Sequence, residues 1–476
     1  MRGQEQSPGV QLAGCSLSTP RESENCGGEV GTYKANGQLD NGVDPDHELS
    51  TSTIPRSQQW LEEPPRFYNR LQPRNALLRL LDHLPSKAQC DILVSNFVES
   101  IHAVIPLMHL PTFRQQYISF WSWLEKCDHD VTPVGIMSEI PSWVSLFFAI
   151  LFASSVSCSS SQFTSTFGKI QRSVVSAKLH KSTMDALAFV SFPRSPTVYS
   201  LMAYLTLHNL LIREEEPSTP CSFIGVALRI AQAMGFHRDG SNFDLDPIQA
   251  EVQRRIWWHI IHMDVLSSIP SGLPPLMLND SLHDTRMISE LKDEYIGTTR
   301  GEEYERVVRQ ASSKSHITDN PKRLGVDCSK IDNTMVDVRL LVAVGRYSIT
   351  TTMRHILGRQ FRVGPQSMEL VASLRHKIDL LGVQLKERIE QVLLMDISRE
   401  QEQKASLQTP LLLSLPEDGS IPCKSVRLQS TPGNSRVFQD WARTLLNLMI
   451  DRTYCILYQP LVKEPDSELG LYVRNE

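Results

Sequence analysis

The sequence contains no two cysteines at C-x2-C spacing. Its nine cysteines (Cys15, Cys26, Cys90, Cys127, Cys158, Cys221, Cys328, Cys423 and Cys455) are odd in number and widely spread. Nothing in that spacing reads as a disulfide framework, so a reducing compartment is expected. Long hydrophobic runs are also missing. The most apolar stretch, Trp143 to Val156, has 14 residues, short of the roughly 20 that span a bilayer, and reads as a buried core helix. The N-terminus lacks the apolar run of a secretory signal. There is no excess of positive charge: 48 Lys and Arg stand against 53 Asp and Glu, a net of −5. That balance argues against a globally basic nucleic-acid binder. The phosphate-loop pattern G-x-x-x-x-G-K-[ST], the nucleophile elbow G-x-S-x-G and the zinc-protease motif H-E-x-x-H are all absent.

What is present is apolar surface at helical spacing. The 41% hydrophobic fraction in 476 residues is enough for a large core without disulfides or metal. Residues 1–68 are the exception: over residues 1–70 there are six Lys/Arg and ten Asp/Glu, a net of −4, with almost no apolar periodicity. A disordered, acidic and polar tail is expected there, and a short C-terminal tail at 466–476. Between them, residues 69–465 read as one large helical domain. Leu71, Leu77, Leu78, Leu81 and Leu84 open it, and Ile92, Phe97, Ile101 and Val104 continue to Pro106. A run over 143–152 follows. The next helix is placed after Ser195-Pro196, with Ser195 as N-cap. Thr219 and Pro220 are read as cap and first residue of another, with Phe223, Val226, Ile230 and Met234 as its buried face and Gly235 as its left-handed C-terminal stop. A helix is expected over 247–268, halted by Pro270, Gly272, Pro274 and Pro275. Residues 290–333 read as a polar loop with some helix. Helices follow at 335–360 and 367–397, then a polar break over 398–433, then a last helix over 435–459 that stops at Pro460. No strand alternation or fixed repeat appears, so the fold class is all-α.

Two segments carry more than periodicity. Residues 223–239 read FIGVALRIAQAMGFHRD and residues 251–277 read EVQRRIWWHIIHMDVLSSIPSGLPPLM. The first supplies Ala227, Arg229, Ala231, Gly235, His237, Arg238 and Asp239. The second supplies Glu251, Arg254, Arg255, Trp257, Trp258, Asp264 and Gly272. Together they resemble the central regulatory region of fungal binuclear zinc-cluster transcription factors, the fungal-specific transcription factor domain. Phe236 stands where that family usually has Leu. Ile105–Phe113 resembles the family's early helix break and Ile456–Leu461 its closing helix. On a helix, Arg254 and Arg255 lie within reach of Glu251, and adjacent Trp257 and Trp258 point about 100° apart. Arg238 and Asp239 are read as holding the loop to Glu251 or Arg255. These signature residues are therefore read as mainly structural, and no catalytic, cofactor or metal residue is assigned.

The resemblance implies a nuclear transcriptional regulator, of a secondary-metabolite or nutrient-use gene cluster. Members of that family normally carry a six-cysteine zinc cluster that reads DNA. Here only Cys15 and Cys26 precede residue 90, in an acidic segment that repels phosphate. The expected cofactor is therefore none, with the family's zinc cluster absent from the sequence. The expected partners are other transcription factors or coregulators, a dimer included, with DNA reached indirectly or through a further N-terminal module, and no membrane. A small-molecule-sensing helical module is the alternative, and an all-α enzyme a remote third. His259, His262 and Asp264 spell H-x-x-H-x-D, but Asp264 points off the histidine face. His102 and His109, flanking Pro106, read as packed or capping side chains.

Overall fold

In a computed structural model, the structure describes residues 73–125, 140–211, 218–315, 333–361, 367–407 and 432–462. They form thirteen α-helices: α1 (Pro73–Leu81), α2 (Lys87–Ser100), α3 (Leu110–Glu125), α4 (Ile140–Ser157), α5 (Ser160–Phe167), α6 (Arg172–Phe189), α7 (Val198–Asn209), α8 (Ser218–Ala233), α9 (Pro247–Ser271), α10 (Thr299–Ser315), α11 (Val338–Gln360), α12 (Met368–Leu407) and α13 (Pro432–Val462). Short 3-10 turns lie between some of them. Among the described residues the sole β pairing is one antiparallel bridge, Leu291 to Val336. The expected tails and Leu71 lie outside the described residues.

α4 is apolar on every side, and such a helix must be surrounded. It packs against α2, α6 and α7, with Phe147, Phe148, Ile150 and Leu151 at zero exposure. Two of its buried serines bond within the helix, Ser145 Oγ donating to the Ser142 carbonyl and Ser155 Oγ to that of Phe152, while Ser154 Oγ accepts from Asn96 Nδ2 of α2. Phe113, Phe120, Trp143 and Phe147 stack at its start. α11, α12 and α13 pack on one another around a second core that includes Ile349, Met353, Ile378 and Leu446. α9 joins the two cores. Its Ile256, Trp257, Ile260 and Ile261 belong to the first and its Val265 to the second.

Several boundaries differ from the sequence reading, each for a local reason. α3, α5 and α6 are additional to the sequence reading, and α6 carries little apolar periodicity. α6 turns Ser182, Thr183 and Ala186 inward with Leu179 and Leu187, because small side chains let it approach α4 closely; a hydrophobicity pattern does not register such a face. The N-cap of α7 is Thr197 and not Ser195. Thr197 Oγ1 accepts from Ser200 N, while Ser200 Oγ accepts from Thr197 N. α8 begins at Ser218, so Thr219 is inside it. Val226 is 40% exposed; it stands about 100° around the helix from buried Ala227, off the inward stripe.

α9 continues three residues past the expected end, through Pro270, and stops at Gly272 with φ +65°. The Ser267 and Ser268 hydroxyls both donate to the Asp264 carbonyl, which closes this turn by side-chain bonds. α10 occupies the segment read as mainly loop. α11 starts at Val338, where Asp337 caps Arg339 N. α12 extends to Leu407, into the expected polar break. α13 runs beyond Pro460. A proline there cannot donate to the Ile456 carbonyl; Gln360 Nε2 of α11 donates to it instead.

Thr197→Ala should lower stability by about 1 kcal/mol, the usual worth of a side-chain N-cap, without altering helix content. A urea melt followed by circular dichroism reads both. No change in the midpoint would remove the reciprocal cap from the account.

Candidate functional site

The turn after α8 is set by Gly235. It takes φ +83°, its N–H donates to the Gln232 carbonyl, and the Phe236 N–H reaches back to that of Ala231. This pair of bonds is a Schellman stop. The chain then delivers Asp239 to the side of α9. Asp246 caps α9, accepting from Ile248 N and Gln249 N with Pro247 at the first helical position. Arg254 and Arg255 therefore face inward about two turns into α9.

The site is a buried ion network. Asp239, fully buried, accepts from Arg254 Nε at 2.8 Å and Nη2 at 2.7 Å. It also accepts from Ser241 N and Oγ and from Arg286 N. Burial alone raises this carboxyl's pKa, but Arg254 and the other donors outweigh it and hold the group well below its usual range. Glu251 Oε1 lies 3.1 Å from Arg255 Nε and accepts from Ser289 N, while Oε2 is 3.5 Å from Arg254 Nη1. Arg255, with no exposed surface, also donates through Nη2 to Asp293 Oδ1 at 2.7 Å and through Nη1 to the Met108 carbonyl at 3.0 Å. The network thus holds three carboxylates and two guanidiniums. Burial pushes the Glu251 carboxyl up to about 7, against the pull of Arg255 and Arg254.

The early break at Ile105–Phe113 docks on this network. Asp293 Oδ2 accepts from Leu110 N, and His109 joins Thr112 Oγ1 through Nδ1 and the Asp293 carbonyl through Nε2. His102 Nε2 donates to the Met108 carbonyl; burial lowers its pKa to about 4 and so keeps the ring neutral. Further along α9, Arg346 Nη2 donates to His262 Nε2 at 2.8 Å, so His262 accepts there and donates from Nδ1 to Thr350 Oγ1. Arg346 also reaches the Val104 carbonyl.

The sequence-selected residues fall into distinct roles. Asp239, Glu251, Arg254 and Arg255 come together. Arg238 is exposed and pairs with Asp284 instead, so the expected link from Arg238 and Asp239 to Glu251 or Arg255 is replaced by Asp239–Arg254 and Arg238–Asp284. Trp257 fills the core beside the half-buried His237. Trp258 covers the adjoining loop, its Nε1 donating to the Arg286 carbonyl. Asp264 caps that loop by accepting from Leu276 N and Met277 N. Ala227 and Ala231 are buried where α8 meets α9. Arg229 is exposed and bonds Gln232, and Gly272 ends α9. Asp293 and Arg346 were not singled out from the sequence. Arg346 could have been: it is a lone cation in the apolar run LLVAVGRY. Asp293 gives no local signal. His259 lies 2.8 Å from Asn209 Nδ2. Among the described residues no group of three His, Cys, Asp or Glu is placed to hold a metal, and no helix is long and apolar enough to cross a membrane.

A half-open cavity of about 300 Å³ lies beside the network, between α3, α7 and α9. Met108 and His109 contribute both to its wall and to the network.

A family model described as the fungal specific transcription factor domain matches residues 94–359. Transcription factor yanR of Aspergillus niger is 33% identical over 223 residues, covering 46% of this chain and 27% of that protein. Transcription factor macR of Penicillium terrestre is 26% identical over 408 residues, 82% of this chain and 42% of that protein. The aurofusarin cluster transcription factor aurR2 of Gibberella zeae is 30% identical over 189 residues, 40% of this chain and 26% of that protein. The chain thus spans less than half the length of each of these relatives. No solved structure matches it.

Proposed function

The chain belongs to the fungal-specific transcription factor domain family, and from that premise we propose that it regulates transcription of a biosynthetic gene cluster from the nucleus. The observation that carries the reading is the family match over residues 94–359, which contains the whole buried network. The cluster assignment rests on relatives such as aurR2, whose name ties it to one. The helical domain acts through partner factors or coregulators. DNA is reached through those partners or through a further N-terminal module.

Tethering tests this directly. The chain is fused to an unrelated DNA-binding domain in a fungal reporter strain. Reporter output should change several-fold against the DNA-binding domain alone, in either direction. A nuclear, well-expressed fusion that leaves output unchanged would sink the proposal. Zinc analysis of the purified chain tests whether it holds a zinc site of its own: stoichiometric metal would overturn the reading that this chain contributes no DNA-reading module.

A further inference from the structure

We propose that the cavity between α3, α7 and α9 is a binding site for a small, neutral, oxygenated aromatic molecule. Its volume of about 300 Å³ is at the lower end of the range for small-molecule pockets. Phe113, Met202, Met234 and Phe236 supply its apolar surface. Phenylalanine faces and methionine sulfurs both favour a flat ring system. Neutrality follows from the lining. It contains no Lys, Arg, Asp or Glu, and its one histidine, His109, is already engaged at both ring nitrogens. A charged ligand would lose its hydration there with no counter-charge to offset the loss. Oxygen substituents are matched by the polar edge: Gln116 and Tyr199, bonded to each other, with Gln249 and Gln253 on α9.

Occupancy is coupled to the signature network by shared residues. Met108 lines the cavity, and its carbonyl receives Arg255 and His102. His109 lines it too and is bonded to the Asp293 carbonyl, whose side chain pairs with Arg255. A ligand pressing on this short segment therefore bears on the joint between the helix break and α9. Met108, Leu146 and Met202 also wall a second chamber of about 300 Å³ that reaches α2. Two unbranched methionines in that wall give it room to yield. The proposal draws its purpose from the regulatory reading, but the binding event stands apart from it.

The full chain is titrated with N-phenyl-1-naphthylamine, a neutral diaryl probe that fluoresces in apolar sites, and 1-naphthol and 1-naphthoate then compete. A saturable single site is expected, displaced by 1-naphthol and about tenfold less well by 1-naphthoate. Val252→Trp, which fills the cavity, should weaken probe binding about tenfold, while Ser100→Trp, in the second chamber, should leave it unchanged. If Val252→Trp fails to fold by circular dichroism, Gln116→Leu decides: it should weaken 1-naphthol and spare the probe. Loss of probe binding on Ser100→Trp alone, unsaturable binding, or equal competition by naphthoate would overturn the proposal. Saturable binding with a silent tethered reporter would fault the regulatory reading alone; an active reporter with no binding would fault the site alone.

Discussion

Arg254→Met should destabilise the domain by about 3–5 kcal/mol, the cost of removing one partner from a buried ion pair. Methionine keeps most of the arginine's apolar stem and removes the charge. Asp239 would then remain fully buried with Arg254's two bonds gone, facing Arg286 at 3.9 Å as its nearest remaining cation. The turn that links α8 to α9 is fixed through Asp239, so the loss reaches both helices. Asp239→Asn with Arg254→Met removes both charges. It should recover a sizeable part of the loss, with a coupling energy of about 1–3 kcal/mol in a double-mutant cycle. Urea denaturation of the four proteins measures it. A single-variant cost below about 1 kcal/mol would mean that the pair is not structural, and the weight placed on this network would fall with it.

Acid should weaken the fold steeply between about pH 4.5 and 6.5, by roughly 2–3 kcal/mol per pH unit. Burial holds His102 at about 4, His259 at about 3 and His262 well below the ordinary 6.5 of a histidine. Each ring is neutral when folded and takes up a proton on unfolding below pH 6.5. This contribution is present in full above that pH and is lost as the pH falls. Glu251 acts oppositely. Burial raises it to about 7, so it holds a proton in the fold that the unfolded chain releases above pH 4.5. Three protons taken up and one released leave a net uptake of about two, each worth about 1.4 kcal/mol per pH unit. Burial also lowers His208 and His237, which add to the trend, and raises Asp264, which opposes it. Denaturation midpoints across pH 4.5–7.5 test the sign. A stability that rises on acidification through this window would show that the histidines are solvated.

Much of the fold was legible because helix geometry is local. The Phe223–Met234 helix, its stop at Gly235 and the helix from Pro247 follow from caps, prolines and i,i+4 spacing that act within a few residues. The two ion pairs of Glu251 with Arg254 and Arg255 were legible for the same reason. α6 was not, since its buried face is built of Ser182, Thr183 and Ala186, small residues whose inward position depends on α4 being there to receive them.

The sequence by itself determined that this chain is helical, that α8 stops at Gly235 and α9 starts at Pro247, and which family it belongs to. The tertiary structure decided what the charges do. Asp239 pairs with Arg254, Arg238 with Asp284, and Arg255 with Asp293, 38 positions away. It also brought Arg346 to His262 and the Val104 carbonyl, and left a cavity walled by residues from several helices. Partners a turn apart are fixed by the 3.6-residue repeat. Partners tens of residues apart are fixed by how the chain passes between them, which no local spacing encodes.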